Sequence, residues 1–167
     1  MNLLTFRDGS EIALPAKALS LTQPYATLMM PGGYKRNETR SWRTSYRGTL
    51  VIHAAKGFPG WAKELCFSNR FICQALTAGG YRDIASIPTG CILGAVDLVD
   101  VMPVEKIRAS LSSVELATGN YEDGRFAWIT ENPRQIEGPF PVSLGALSIW
   151  ELRPENCAVV GEGEQRS

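Results

Sequence analysis

"LSLTQPYATLMMPGGYKRNETRSWRTSYRGTLVIHAAK", residues 19–56, carries the clearest start and stop signals in the chain. It opens within "ALSL" (18–21), short and apolar enough for a buried strand. Pro24 suits the first turn of a helix, where a missing N–H costs nothing, with Thr22 or Gln23 near the cap. Pro31-Gly32-Gly33 ends that helix. "TLVIHAA" (49–55), rich in β-branched residues, predicts a core strand. Between Gly33 and Gly48 lies something folding does not require: Lys35, four arginines and Glu38, interleaved with Tyr34, Trp42 and Tyr46.

Outward from this stretch the punctuation continues. Residues 3–14, "LLTFRDGSEIAL", predict a hairpin turning at Asp8-Gly9, and Pro15 closes it. Residues 59–79 predict one or two helices with Trp61, Leu65, Phe71, Ile72 and Leu76 facing inward. "GCILGAVDLVDVMPV" (90–104) predicts a long strand in which Gly94 marks a bulge or bend. Pro103 can start a helix over 104–111, continuing through 112–118. "RFAWIT" (125–130) and "LSIWELR" (147–153) predict closing strands, joined by a Pro/Gly-rich connection. Short strands at intervals with helices grouped between them imply an α+β fold, a small β-barrel decorated by helices. At 167 residues one domain is expected: a hairpin extension over 1–15, the domain proper over 16–153, and an acidic disordered tail over 154–167.

Seventeen basic residues balance seventeen acidic ones, which argues against a protein that coats DNA indiscriminately. The charge is unevenly placed, however: from Tyr34 to Lys56 six basic residues stand against the single acid Glu38, a local excess of +5. The four cysteines form no C-x-x-C pair and His53 is the lone histidine, so neither a metal site nor a cofactor is expected. With no signal-peptide pattern and no apolar run near 18 residues, a cytoplasmic protein with reduced thiols and no membrane partner is expected.

Lys35, Glu38 and Arg40 are the first candidates for chemistry. In an extended segment Glu38 and Arg40 point one way and Lys35 the other, so a turn or bulge must bring them together. Converged on a pocket, two cations flanking a carboxylate can bind an anion and hold the acid ionised; solvated, they amount to weak ion pairs. Arginines alternating with Tyr34, Trp42 and Tyr46 are the mixture single-stranded nucleic acid uses, bases stacking on rings and phosphates pairing with guanidinium groups. Trp42 and Tyr46 as plain core residues is the competing expectation. Asp97 on an apolar strand needs a partner: it either lines a cleft opposite Lys35 as acid/base or is a rim carboxylate held by an arginine or backbone amides. Asp100 and His53 are expected to be structural, and Gln23 is expected to read a ligand's hydrogen-bonding edge.

The order Gln23, Pro24, Ala26, then Gly33, Lys35, Glu38, Arg40, Ser41, Trp42, Arg47, Gly48 resembles the opening of an ASCH domain, the module named for activating signal cointegrator homology. "PTGCILGAVDLVDV", "FAWITENP" and "LSIWEL" resemble its later strands, so the similarity spans about residues 18–152. The resemblance implies a PUA-like pseudo-barrel with a cleft beside the first helix. It implies binding of RNA, single-stranded nucleic acid or a nucleotide-like small molecule, with Gln23, Lys35, Arg40, Trp42, Tyr46 and Arg47 as ligand-binding residues. Some relatives are hydrolases, including N4-acetylcytidine amidohydrolases, and ribonuclease activity is proposed for others. In the amidohydrolases a catalytic lysine falls at Lys35, a threonine three residues later is the nucleophile, and a glutamate on a later strand assists. Here Glu38 stands in the threonine's place and Asp97 is the acid of the later strand, so Lys35, Glu38 and Asp97 are the catalytic candidates of that alternative.

Overall fold

The computed structural model describes residues 2–142 and 145–157. Part of the expected tail, 158–167, lies outside the described residues. The fold is mixed α+β. A two-stranded hairpin, β1 (Leu3–Thr5) with β2 (Glu11–Ala13), adjoins a six-stranded sheet of β3 (Ala16–Leu21), β4 (Asn37–Arg40), β5 (Gly48–Ala54), β6 (Cys91–Pro103), β7 (Phe126–Pro141) and β8 (Trp150–Leu152). The order across the large sheet is β4-β7-β6-β5-β3-β8, and β3 and β5 are its parallel pair. Among the described residues β4 and β8 are not hydrogen-bonded to each other, so the sheet is not closed into a barrel. Helices α1 (Tyr25–Leu28), α2 (Gly60–Ser68), α3 (Arg70–Ala78), α4 (Val104–Ile107) and α5 (Ser113–Ala117) fill the connections.

β5 shows why this sequence makes this sheet. Leu50 and Ile52 enter one apolar cluster with Leu19, Leu21, Val96, Leu98 and Trp128. Val51, between them, enters a second cluster on the opposite face with Ala18, Ile92, Ala95 and Leu152. A strand covered on both faces is apolar through its middle, hence the run Leu50-Val51-Ile52. The second cluster is completed by Leu4 and Phe6 of the hairpin, so that segment contributes core.

The expected break after residue 130 does not occur; β7 continues to Pro141. Pro133 and Pro139 sit where the ladder is already interrupted, and Pro141 ends the strand. Glu131 faces Asp97 and Arg134 faces Ala95, so Asn132 and Pro133 together oppose only Val96. Asn132 adopts φ +52° in this bulge, where proline's missing N–H removes no ladder bond. Further on, β7 swings away from β6 and Ile136 bridges Phe6 of the hairpin. Gly94 stands at this bend, and a Cβ there would lie 2.0 Å from the Arg134 carbonyl oxygen. The segment 104–118 forms two short helices, α4 and α5, rather than one, because Ser112 starts α5 afresh by accepting from the Glu115 N–H.

The turn after α1 positions everything that follows. The Lys35 N–H donates to the Leu28 carbonyl, folding the chain back over its own helix. A Cβ on Gly33 would meet that carbonyl oxygen at 2.2 Å, so glycine is required. Among the described residues no helix is long and apolar enough to cross a membrane.

Candidate functional site

A cleft of about 680 Å³ opens at the carboxyl ends of the parallel strands β3 and β5. β4 and the segment to Trp42 form one wall; α1 and the start of α2 form another; Val142 together with Gly145, Ala146 and Leu147 forms the third. Its size suits a nucleoside-sized ligand.

The basic segment divides among three destinations. Lys35 and Arg36 turn inward. Lys35 is 1% exposed, and its Nζ donates to the Asn37 carbonyl at 2.6 Å and to the Thr118 carbonyl. Glu38 Oε1 lies 3.9 Å away, near enough for an ion pair but not a hydrogen bond. The ammonium also stands 5.4 Å from the ring centre of Tyr25, one of the cleft residues. Burial lowers the Lys35 pKa, and the carboxylates of Glu38 and Glu115 only partly offset that. Arg36 donates to the carbonyls of Met29 and Met30 at the end of α1. Glu115 accepts from the backbone N–H groups of Arg36 and Asn37, tying the loop to α5.

Arg40 reaches the cleft. Its Nη1 donates to Leu147 O at 2.8 Å, and its Nη2 lies 3.3 Å from Ser20 O and 3.4 Å from Glu38 Oε2. Its plane lies near the rings of Trp42 (5.5 Å) and Trp128 (5.8 Å). Glu38 therefore stands between Arg40 and Lys35, which precedes β4, but only Glu38 and Arg40 line the cleft. Trp42 is 40% exposed on the cleft wall.

Arg43 and Arg47 go elsewhere. Arg43 covers Phe126, and Arg47 pairs with Asp100 at 3.8 Å on the surface. Arg47 and Tyr46 are outside the cleft: the Tyr46 hydroxyl donates to Thr49 O while its ring packs on the core. Gln23 is fully buried. Its amide nitrogen donates to Thr27 Oγ1 and Pro88 O, and its Oε1 accepts from the Thr27 N–H, which leaves no edge for a ligand. Asp97 does not face Lys35. It lies on the other face of the sheet, where Thr49, Asn132 and Arg134 all donate to it. Burial would raise its pKa, but these hydrogen bonds prevail and lower it. It is the rim carboxylate of the structural alternative.

Other residues reach the cleft that were not among the expected ligand-binding set. Trp61, expected inward, is 57% exposed at the first turn of α2 and lines the rim. Lys56 follows β5 into it, and Arg125 enters from the start of β7, anchored through Nη2 to Thr39 O. His53 and Ser20, side by side on β5 and β3, form part of the floor. Among the described residues no group of His, Cys, Asp and Glu converges in a way that could hold a metal ion.

The chain matches the ASCH domain family model over residues 19–140. It is 33% identical to activating signal cointegrator 1 of Homo sapiens and 32% identical to that of Mus musculus, each over 139 residues. In both cases 80% of this chain is aligned with 22% of the relative, so the chain spans about a fifth of those proteins' length. A crystal structure of a mutant ZmASCH protein from Zymomonas mobilis superposes with a TM-score of 0.51 at 14% identity, covering 84% of this chain and 91% of that one. That similarity bears on the fold alone.

Proposed function

The chain belongs to the ASCH domain family, and from that premise we propose that the cleft binds single-stranded RNA or a nucleotide-like ligand. The observation that carries this is the meeting of two exposed indoles, Trp42 and Trp61, with three cations, Arg40, Lys56 and Arg125, around one cavity of nucleoside size. Rings give stacking faces that tolerate any base, and the cations track phosphate. Glu38, on the same wall, can accept from a base amine. The binding unit is residues 16–153, with 1–15 as an extension that completes its core.

Hydrolysis of an acylated nucleoside or an RNA phosphodiester by Lys35 is the alternative, and the geometry supports it less. The Lys35 nitrogen sits behind the cleft wall with hydrogen bonds committed to two carbonyl oxygens, and Asp97 is across the sheet. Its depressed pKa is the one feature in favour.

Trp42→Ala should weaken binding of a labelled single-stranded oligoribonucleotide by roughly 10- to 100-fold, the worth of one stacked base. Arg47→Ala, outside the cleft and already paired with Asp100, should change it by less than about 3-fold, a screened surface charge. Fluorescence anisotropy at fixed salt measures both. Equal losses from the two substitutions would place binding somewhere other than the cleft.

A further inference from the structure

Ser20 and His53 are neighbours in the parallel register of β3 and β5, and both face the cleft. Ser20 Oγ is 2.9 Å from His53 Nδ1, and His53 Nε2 is 3.1 Å from the Val142 carbonyl oxygen. A carbonyl only accepts, so Nε2 carries the ring proton and Nδ1 is the bare base. The serine hydroxyl must then donate to Nδ1. Its oxygen also accepts the indole N–H of Trp150 at 3.0 Å, which leaves the hydroxyl proton directed at the histidine. Trp150 packs edge-on against the imidazole at 5.6 Å, and Gly145 leaves the hydroxyl uncrowded: a side chain there would come within 2.9 Å of Ser20 Oγ. Hydroxyl, base and base-orienting carbonyl thus stand in one line at the cleft floor, the arrangement that activates a serine.

We propose that Ser20 and His53 form a nucleophile–base pair for acyl transfer, acting on a carboxylic ester whose alcohol part is anionic. Attack joins Ser20 Oγ to the ester carbonyl carbon while the hydroxyl proton passes to His53 Nδ1. Collapse of the tetrahedral intermediate breaks the carbon–oxygen bond to the alcohol, which leaves with the proton from Nδ1. Water repeats the sequence on the acyl-serine, releasing the acid and restoring the hydroxyl. Arg40, whose Nη2 adjoins the Ser20 carbonyl, and Lys56 and Arg125 on the cleft walls favour the anionic leaving group. The RNA-binding proposal involves neither the serine nor the histidine, so the two stand or fall separately.

An alkyl fluorophosphonate, which traps activated serines, tests the dyad on the full chain without RNA. The expected result is one adduct by intact mass, mapped to Ser20 and absent in Ser20→Ala. His53→Gln should slow labelling by roughly 100-fold or more, the usual contribution of a general base. Should that variant fold poorly, the unmodified chain supplies an independent reading. Labelling should slow as pH falls below the ordinary histidine value of about 6.5, because burial lowers the His53 pKa despite the Val142 hydrogen bond and only the neutral ring accepts a proton. An aryl acetate bearing an anionic sulfonate on its ring should turn over faster than one bearing a neutral sulfonamide there, whose leaving group is at least as good. A folded chain whose Ser20 stays unlabelled in excess probe, or loses labelling with a midpoint above the ordinary histidine value of about 6.5, overturns the dyad. Equal turnover of the two esters overturns the anionic-substrate assignment.

Discussion

Lys35→Ala is expected to cost about 3–5 kcal/mol of folding stability, the usual loss when one member of a buried charged group is removed. In urea this lowers the unfolding midpoint by roughly 1–3 M. The buried ammonium is the knot between two distant segments: it ties the carbonyl of Asn37, at the start of β4, to that of Thr118, just after α5, and stands beside Glu38. Thr118 O is a helix-end carbonyl, where a cation is favoured. Removal leaves both carbonyls without that donor and Glu38 with one fewer cation, in a cavity no water reaches freely. Lys35→Met separates volume from charge: filling the space while leaving the acceptors unmet should recover only part of the loss. A Lys35→Ala chain that unfolds at the wild-type urea concentration would show that the ammonium is not what holds the β4 segment to α5.

The fold was legible where the signal is local. The helix stop at Gly33, the two-faced strand β5 and the bend at Gly94 each rest on the residue itself or its immediate neighbours. β7 was misjudged because Pro133 and Pro139 look like breaks. They become tolerable only when β6 and the hairpin supply a bulge and a detour, a long-range fact no local pattern carries. Trp61 was misplaced for a related reason. Helical spacing puts it with Leu65, but at the first turn of α2 it extends past the elements that bury Ala62 and Cys66, and the cleft lies beyond.

The candidate site was half legible. A dense run of charge and aromatics marked the right segment, yet composition cannot say which way each side chain turns. Gln23 and Lys35 look like ligand readers because they are polar near a loop; both instead, like Arg36 beside them, satisfy backbone or side-chain groups of the protein's own interior. The Ser20–His53 contact crosses 33 residues of sequence and exists only because β3 and β5 are parallel with those two in register. His53 was expected to be structural, and no local pattern pairs it with Ser20.

Arg40→Ala is expected to weaken single-stranded RNA binding by about 2–5 kcal/mol, a few tens to several thousand fold, more than any other single change in the cleft. Arg40 is where the sequence cluster and the cavity coincide. Of the five N–H donors of its guanidinium, one goes to Leu147 O and two to Ser20 O and Glu38 Oε2, leaving Nε–H and one Nη1–H for a ligand. Alanine deletes those donors, releases the chain at Leu147 and strips Glu38 of its cleft-side cation, so the carboxylate repels phosphate. Arg40→Lys keeps the charge but cannot span three acceptors with a point ammonium, so it should recover less than half of the lost binding energy. The salt dependence distinguishes contact from mere positioning. If the free donors reach a phosphate, the slope of log affinity against log salt should fall by about 0.7 in Arg40→Ala, the value for one phosphate on a single strand. Reduced affinity with an unchanged slope would mean that Arg40 only braces the walls, and the phosphate contacts would then belong to Lys56 and Arg125.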